Sequence, residues 1–422
     1  QLLGLDQVLR QIREQEAQNK SIQNQQSQTE SVDWQQKMAA AEMLNREQKT
    51  NDRIRKATDQ IKKTLDQVKE LDSGSDPYQE ALQERLEEQQ RSIQENEQGL
   101  KELQELQKKI NEEEFKEDLD KLAQRQKNQK KSLEQLVEQT RRYYVAKKTQ
   151  QIAEALQELG ERQIEAAERS HETKEDQLEE QNQLNSSFQK LQEQMEQLQK
   201  ENEQLTQPMQ VPRDKFEEDQ ISNEQNSAAE KINQEDQEGA KSSQKKAGQK
   251  MKEMGSKMGA QMQMMQMDSV QEDAEMLREI LDNLIVFSTE QESLMEQMIS
   301  EGPSSVQFGK RINRQNTLKE NFKHIDDSLF ALSLRQPLMG ASINKHISDG
   351  QFYLDKSLDD FADNKLSQAS GSQQYVFANA NALAELLDAV LAQMEQMAMN
   401  MPGSGSGQGQ SGQGFQLSDI IK

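Results

Sequence analysis

The chain contains no cysteine, one tryptophan, six prolines and only 4% aromatic residues in 422. Without cysteine, disulfide scaffolds, thiol catalysis and thiolate metal sites are all excluded. No uninterrupted run of about 20 apolar residues occurs, the length needed to cross a bilayer as a helix, so any membrane anchor is expected upstream of Gln1. Apolar residues amount to 32%, against ~45–50% in ordinary globular domains. A single large core is therefore excluded, because too little apolar surface exists to offset the ordering of the whole chain in compact form. Proline is scarce as well as unevenly placed. Its six positions, Pro77, Pro208, Pro212, Pro303, Pro337 and Pro402, leave Tyr78–Gln207 and Arg213–Gly302 free of it. Disordered chains are usually rich in proline, whereas a helix interior loses ~3 kcal/mol for each one.

What is present favours helix. Glutamine supplies about one residue in six, and with Glu, Lys, Leu, Met and Ala it belongs to the good helix formers. Apolar residues recur at alternating steps of four and three. Leu184, Phe188, Leu191, Met195, Leu198, Asn202 and Leu205 form such a seam with one polar member. Ile54, Ile61, Leu65 and Val68 follow the same spacing, as do Leu82, Leu86, Ile93, Leu100, Leu103 and Ile110, and then Phe115, Leu119, Leu122, Leu133, Leu136 and Val137. Glutamine interrupts these seams, so helical hairpins or staggered coiled coil are expected rather than one tight zipper. The fold class expected is all-α: long coiled-coil or helical-hairpin segments followed by an antiparallel four-helix bundle.

Breaks divide the chain. Residues 1–71 form a first helical region, closed by Asp72-Ser73-Gly74-Ser75-Asp76-Pro77. Residues 77–206 form a long second region, with Gly160 or the polar patch Ser170–Asp176 as the expected fold-back points. Residues 214–267 carry a seam of small side chains, Ala229, Ile232, Ala240, Ser243, Ala247 and Met251, which permits close helix approach. Its polarity predicts that part of Asn223–Lys246 is poorly ordered. Residues 268–400 read as four helices, separated at Gly302–Ser305, Gln336-Pro337 and Ser370-Gly371-Ser372; such short connections imply an antiparallel bundle. Residues 402–414 have the composition of a flexible Gly/Ser/Gln linker, and 415–422 begin a short apolar motif containing Phe415, Leu417, Ile420 and Ile421. The chain starts without Met and stops abruptly after that motif, as a portion of a longer protein would.

Sites for chemistry are scarce. His171, His324 and His346 are the only histidines, and they lack metal-binding spacing, although His324 and His346 fall in neighbouring expected helices and could meet. No phosphate-cradling glycine loop is present, and carboxylates are too abundant for any pair to be informative. No catalytic residue, cofactor or metal site is expected. Two features stand above this background. Met251, Met254, Met258, Met262, Met264, Met265 and Met267 cluster at helical spacing. They offer either an adaptable face for packing or for a partner, or a set of thioethers for Cu(I). The second feature is a charge reversal: Lys121, Arg125, Lys127, Lys130, Lys131, Arg141, Arg142, Lys147 and Lys148 face only Glu134 and Glu138, a local +7 within a chain of −23. Pairing with acidic helices such as Glu112–Asp120, binding of an anionic envelope component through Lys130, Lys131, Arg141 and Arg142, and stacking of nucleic acid on Tyr143 and Tyr144 are the alternatives. The overall negative charge weighs against nucleic acid.

Met264-Met265-Gln266-Met267-Asp268-Ser269-Val270-Gln271-Glu272-Asp273, followed by Leu277-Arg278-Glu279-Ile280-Leu281-Asp282-Asn283-Leu284, resembles a signature of large envelope proteins of Bacteroidota known as domain of unknown function 4175. Ile325-Asp326-Asp327-Ser328-Leu329-Phe330-Ala331-Leu332, Gln373-Gln374-Tyr375-Val376 and the Gly-rich stretch before Phe415-Gln416-Leu417-Ser418-Asp419-Ile420-Ile421 are similar to it too. The resemblance covers about Phe216 to the end. It implies a membrane-anchored, extracytoplasmic protein and brings no catalytic residues. The expected function is a non-enzymatic structural and interaction scaffold, a periplasmic arm tethered to the inner membrane by segments outside this chain. Its partners would be other envelope proteins or further copies of itself. In that scaffold the linker would let Phe415, Leu417, Ile420 and Ile421 find a groove as a short helix. The alternative is a periplasmic binding module or chaperone for exported or outer-membrane proteins, using Met251, Met254, Met258, Met262 and Met265 as a permissive groove.

Overall fold

The computed structural model describes residues 34–71, 77–106, 112–169, 173–302 and 305–400, with Arg10, Arg13 and Glu14 near the start. These residues form nine helices: α1 (Trp34–Leu71), α2 (Pro77–Leu106), α3 (Glu112–Glu168), α4 (Lys174–Asn202), α5 (Lys215–Asn233), α6 (Gln237–Glu301), α7 (Phe308–Ser333), α8 (Ala341–Ala362) and α9 (Leu366–Asn400). No strand occurs among the described residues. The protein is all-α, as its heptad-like patterning and helix-forming composition predict. The side chains of Val68, Leu103, Phe115, Leu119, Leu122 and Lys121, together with Ile110, His171, residues 402–414, Phe415, Leu417, Ile420 and Ile421, lie outside the described residues.

Local chemistry sets the helix ends. Thr173 opens α4 by accepting from the Asp176 backbone N–H at 3.1 Å, while its hydroxyl donates to the Asp176 carboxylate at 2.7 Å. Asp214 and Asp236 accept from the third N–H of α5 and α6, each at 3.0 Å. Such caps satisfy amides that the first helical turn leaves unpaired. At the close of α4, Asn202 exchanges two hydrogen bonds with the backbone of Met209, 2.6 and 2.8 Å. The polar member of the predicted seam therefore closes the Pro208 turn rather than facing another helix. Gly302 ends α6 at φ +65, the left-handed region that glycine enters without steric cost.

Three apolar cores are strung along two long helices. The first joins α1, α2 and the middle of α3 through Ile54, Ile61, Leu82, Leu86, Ile93, Leu133 and Leu136. The second joins the rest of α3 to α4, α5 and the start of α6 through Ile152, Leu156, Phe188, Leu191, Met195, Ile221 and Met251. The third lies among the later part of α6 and α7, α8 and α9, centred on Leu284, Phe287, Phe322, Leu354 and Leu387. At 1.5 Å per residue, α6 with its 65 residues spans about 97 Å. Several expected divisions change accordingly. The boundary between residues 267 and 268 falls inside α6, which runs unbroken from the second core into the third. Asn223–Lys246 is helix on both sides of a tight turn at Gln234–Asp236, where Glu235 adopts φ 63. Gly160 does not break α3; α3 ends eight residues later, before the polar patch.

The reason Gly160 stays helical is its neighbour. α3 and α6 run antiparallel and nearly touch: a Cβ added to Gly160 would lie 2.6 Å from the Gly248 carbonyl, and one added to Gly255 would lie 2.5 Å from that of Ala153. Of the predicted small-residue seam, Ile232, Ala240, Ser243, Ala247 and Met251 are buried and Ala229 is half-buried; Ser243 meets Lys231 and Ser227 of α5.

Glutamine, read in the sequence as an interruption of the seams, turns out to be part of them. Gln163 of α3, Gln181 of α4, Gln225 of α5 and Gln244 of α6 are all buried. Gln163 and Gln181 bond each other reciprocally at 2.9 and 3.3 Å, Gln225 donates to Gln163 at 3.0 Å, and Gln244 donates to Gln181 at 2.9 Å. A second layer ties α6, α7 and α9 through Gln291, Gln315 and Gln373, with bonds of 2.7–3.1 Å. Buried amides that must meet their partners fix the register of helices whose apolar contacts alone would tolerate slippage. Truncating Gln163 to alanine removes the acceptor of two buried amides. We expect a loss of about 2 kcal/mol, read from the denaturation midpoint.

Candidate interaction surface

The basic block of α3 meets α7, α8 and the turn between them. Lys131 Nζ bonds both carboxylate oxygens of Asp326, at 2.7 and 2.6 Å. Lys127 donates to Gln351 at 3.0 Å, and Gln351 returns a bond to Asp326 at 2.7 Å. Gln135 donates to Ser333 at 2.6 Å and accepts from Asn344 and from Arg85, each at 2.7 Å. Gln139 donates to the backbone of Ser333 and Gln336. Arg142 donates to the Gln207 carbonyl at 2.7 Å. Lys130 is half-buried and Arg141 buried, and neither is free. Of the residues expected to bind anions, Lys131 is paired with Asp326, Arg141 is buried, and Arg142 is held at the surface by the Gln207 carbonyl. Asp326 of α7 is the acidic partner of Lys131; the side chains of Glu112–Asp120, the expected partners, lie outside the described residues.

The methionine face is likewise interior. Met251, Met254 and Met258 are buried in the second core and Met262 is buried too, so these four present no groove to a client, and Met265 is half-buried. Periodicity identified the stripe but not what covers it, because the covering α3 lies some ninety residues earlier. Met264, on the opposite side of the helix, is 65% exposed.

Titratable groups do not assemble into a centre. Among the described residues no cluster of three or more His, Asp or Glu side chains is placed to hold a metal ion. His346 pairs with Asn379 of α9 at 2.9 Å, and His324 is exposed on α7. Two buried carboxyls are displaced upward. Burial pushes Glu47 of α1 up to about 8. Burial likewise raises Asp273 of α6 to about 6, opposed by the Arg335 and Arg142 guanidinium groups. Arg335 Nε sits 2.5 Å from Asp273 Oδ1, close but poorly aligned, and ties α6 to the turn after α7. Arg85, fully buried, is lowered to about 10 by desolvation. Arg85 and Asp273 each lie in a contact between elements, through Gln135 and Arg335 respectively. The groove between α3 and α4, lined by Arg162, Leu178, Asn182 and Lys190, is shallow and open.

No family model, curated protein or solved structure matches the chain. Its own surface is therefore the guide. Aromatic residues, rare overall, gather on α8 and α9, where Tyr353 stacks on Tyr375 at 4.5 Å and meets Phe352 edge-on at 5.2 Å. Their spacing across two helices is invisible to a single heptad and escaped the sequence reading. α9 comes nearer to a bilayer span than that reading allowed, with a mean hydropathy of 1.2 over its most apolar window. Its stripe of Val376, Ala380, Leu383 and Leu387 is nonetheless fully buried in the third core.

Proposed function

We propose that this chain is a structural and interaction scaffold rather than an enzyme, a helical arm of a Gram-negative envelope that works by length and by the surfaces it carries. One observation carries the reading: α3 and α6 each run unbroken through two cores, so three helical packings are held in fixed sequence along rods of about 85 and 97 Å. In this reading α6–α9 form an up-and-down antiparallel bundle and α1–α5 pair as coiled hairpins. Distances along the arm are then set by covalent helix. The resemblance to domain of unknown function 4175 is the ground for placing the arm in the periplasm and its anchor outside these residues.

The chaperone alternative loses most of its surface, since four of its five methionines are interior and Met265 is half-buried. Crosslinking in native envelopes followed by mass spectrometry tests the scaffold. Reproducible crosslinks from exposed lysines to membrane proteins of the envelope are expected. A crosslink set indistinguishable from that of an unrelated helical periplasmic protein overturns it.

A further inference from the structure

Gly160 of α3 faces Gly248 of α6 and Ala153 faces Gly255, so the numbering of the two helices runs in opposite senses across their contact. Beyond it, the later part of α6 and the earlier part of α3 therefore extend in the same direction, as the two arms of a pair of tongs. Each arm carries a core of its own: α3 shares the first with α1 and α2, and α6 shares the third with α7, α8 and α9. The apolar side chains that the arms share in the second core reach no further than Tyr144 on α3 and Met258 on α6. The arms meet again further out, and there the contact is polar. The Glu88 carboxylate of α2 accepts from the Ala341 amide that opens α8 at 2.8 Å, and the Tyr78 hydroxyl donates to the Arg335 carbonyl at 3.3 Å. On α3, Gln124 donates to the Ser348 hydroxyl at 2.6 Å and Ser132 accepts from Asn344 at 2.9 Å, alongside the Lys131–Asp326 pair and the bonds of Gln135 and Gln139. Among the described residues no apolar side chain belongs to both the first core and the third.

We propose that this seam is a releasable clasp: the arms part between α2–α3 and α7–α8, while each keeps its core and the second core holds them together at the other end. The proposal does not depend on where in the cell the protein acts. The chemistry of the seam carries it. Burial of apolar surface favours only the joined state, whereas carboxylates, amides, hydroxyls and ammonium groups regain bonds to water on parting, so the net hold of each is small. Polar contacts between separately cored units are the ones that open and close. The joined state also leaves Gln139 Oε1, within the seam, buried without a hydrogen-bond partner, a loss that contact with water removes. Asp326 locks the closed form. Its carboxylate is buried on α7, and the cation that neutralises it, Lys131, comes from the other arm, as does the Lys127 bond that steadies Gln351 against it. A buried carboxylate deprived of its counter-ion is strongly disfavoured, so loss of this one pair turns the seam to its open form. The protein thus has a closed and a forked shape, interchanging without unfolding.

The absence of native cysteine lets spin labels be placed freely in the full chain. E95C on α2 with K323C on α7, both exposed positions, measures the distance between the arms, and K323C with D388C on α9 measures the third core alone. K131D and D326K are each expected to shift the E95C/K323C distances from mainly short to mainly long. Combining K131D with D326K restores an ion pair across the seam and is expected to return them to mainly short. The K323C/D388C distance should hold in every variant. An E95C/K323C distance unmoved by either single change, a combined variant as open as the single ones, or a K323C/D388C distance that broadens together with the first would each overturn the proposal.

Discussion

Replacing Gly248 by alanine is expected to weaken the protein, although alanine ordinarily strengthens a helix by roughly 1 kcal/mol over glycine. The added Cβ would lie 2.6 Å from the Gly160 carbonyl and 2.7 Å from Ile164 Cγ1, both below any normal contact. Ile164 can turn; the carbonyl belongs to the backbone of α3 and cannot. The two helices must separate, losing dispersion contacts and the Cα–H to carbonyl approaches along several turns. We expect a net cost of about 2 kcal/mol for G248A and at least about 4 kcal/mol for G248L, as overpacking between rigid backbones. Gly259, one heptad and a half further along the same helix, provides the opposite sign. Its Cβ would stand in open space, so G259A should stabilise by about 0.5–1 kcal/mol. Urea denaturation of the two alanine variants decides the matter, and two shifts of the same sign would refute the close-approach account.

The contrast between these glycines shows where sequence reading stops. Leu184, Phe188, Leu191, Met195 and Leu198 were legible as a core because a heptad of large apolar residues leaves few alternatives, and all five are buried. Gly160 and Gly259 look alike in sequence, and Gly160 read as a place where α3 could break. Their difference depends on which helix crosses each of them, a contact made between segments about ninety residues apart. Glutamine failed for a related reason. Gln163, Gln181, Gln225 and Gln244 complete one another, and none of them alone differs from the surface glutamines around it. The division at residue 267 followed a change of composition, from small residues to large ones. That change is real, but it records a change of partner from α3 to the bundle-forming helices rather than an end of α6. The basic block of α3 was legible as a charge reversal, while Asp326, its partner, was one carboxylate among 75 acidic side chains.

Exposure was the least legible property, and the candidate surfaces rest on it. Met264 differs from Met262 by two positions and by the side of α6 on which it falls. Met262 is buried, and Met264 is 65% exposed.

The second large effect concerns pH and α1. Leu44, Glu47, Asn51 and Ile54 form one buried stripe, so a carboxyl stands where the heptad calls for an apolar side chain, and it is only 4% exposed. Desolvation raises it from the usual 4.5 to about 8, so the folded protein retains this proton when the unfolded chain has lost it. Stability from this group is fully present below pH 4.5, declines as pH rises, and is gone above about 8. The full span is at most about 5 kcal/mol, at 1.36 kcal/mol per pH unit, and relaxation around the charge reduces it. Asp273 adds a decline of the same sign, but it is complete by about pH 6, which leaves the interval from 6 to 8 to Glu47. The E47Q variant should abolish the decline there and stabilise α1 by about 2–3 kcal/mol at pH 8, since a neutral amide carries no ionisation penalty. Hydrogen exchange of α1 amides at pH 6, 7 and 8 isolates the effect, because a helix opening locally reports its own free energy. After correction for the intrinsic pH dependence of exchange, wild type should lose protection across this range while E47Q holds it; parallel profiles for the two proteins would mean that the carboxyl is already ionised in the fold.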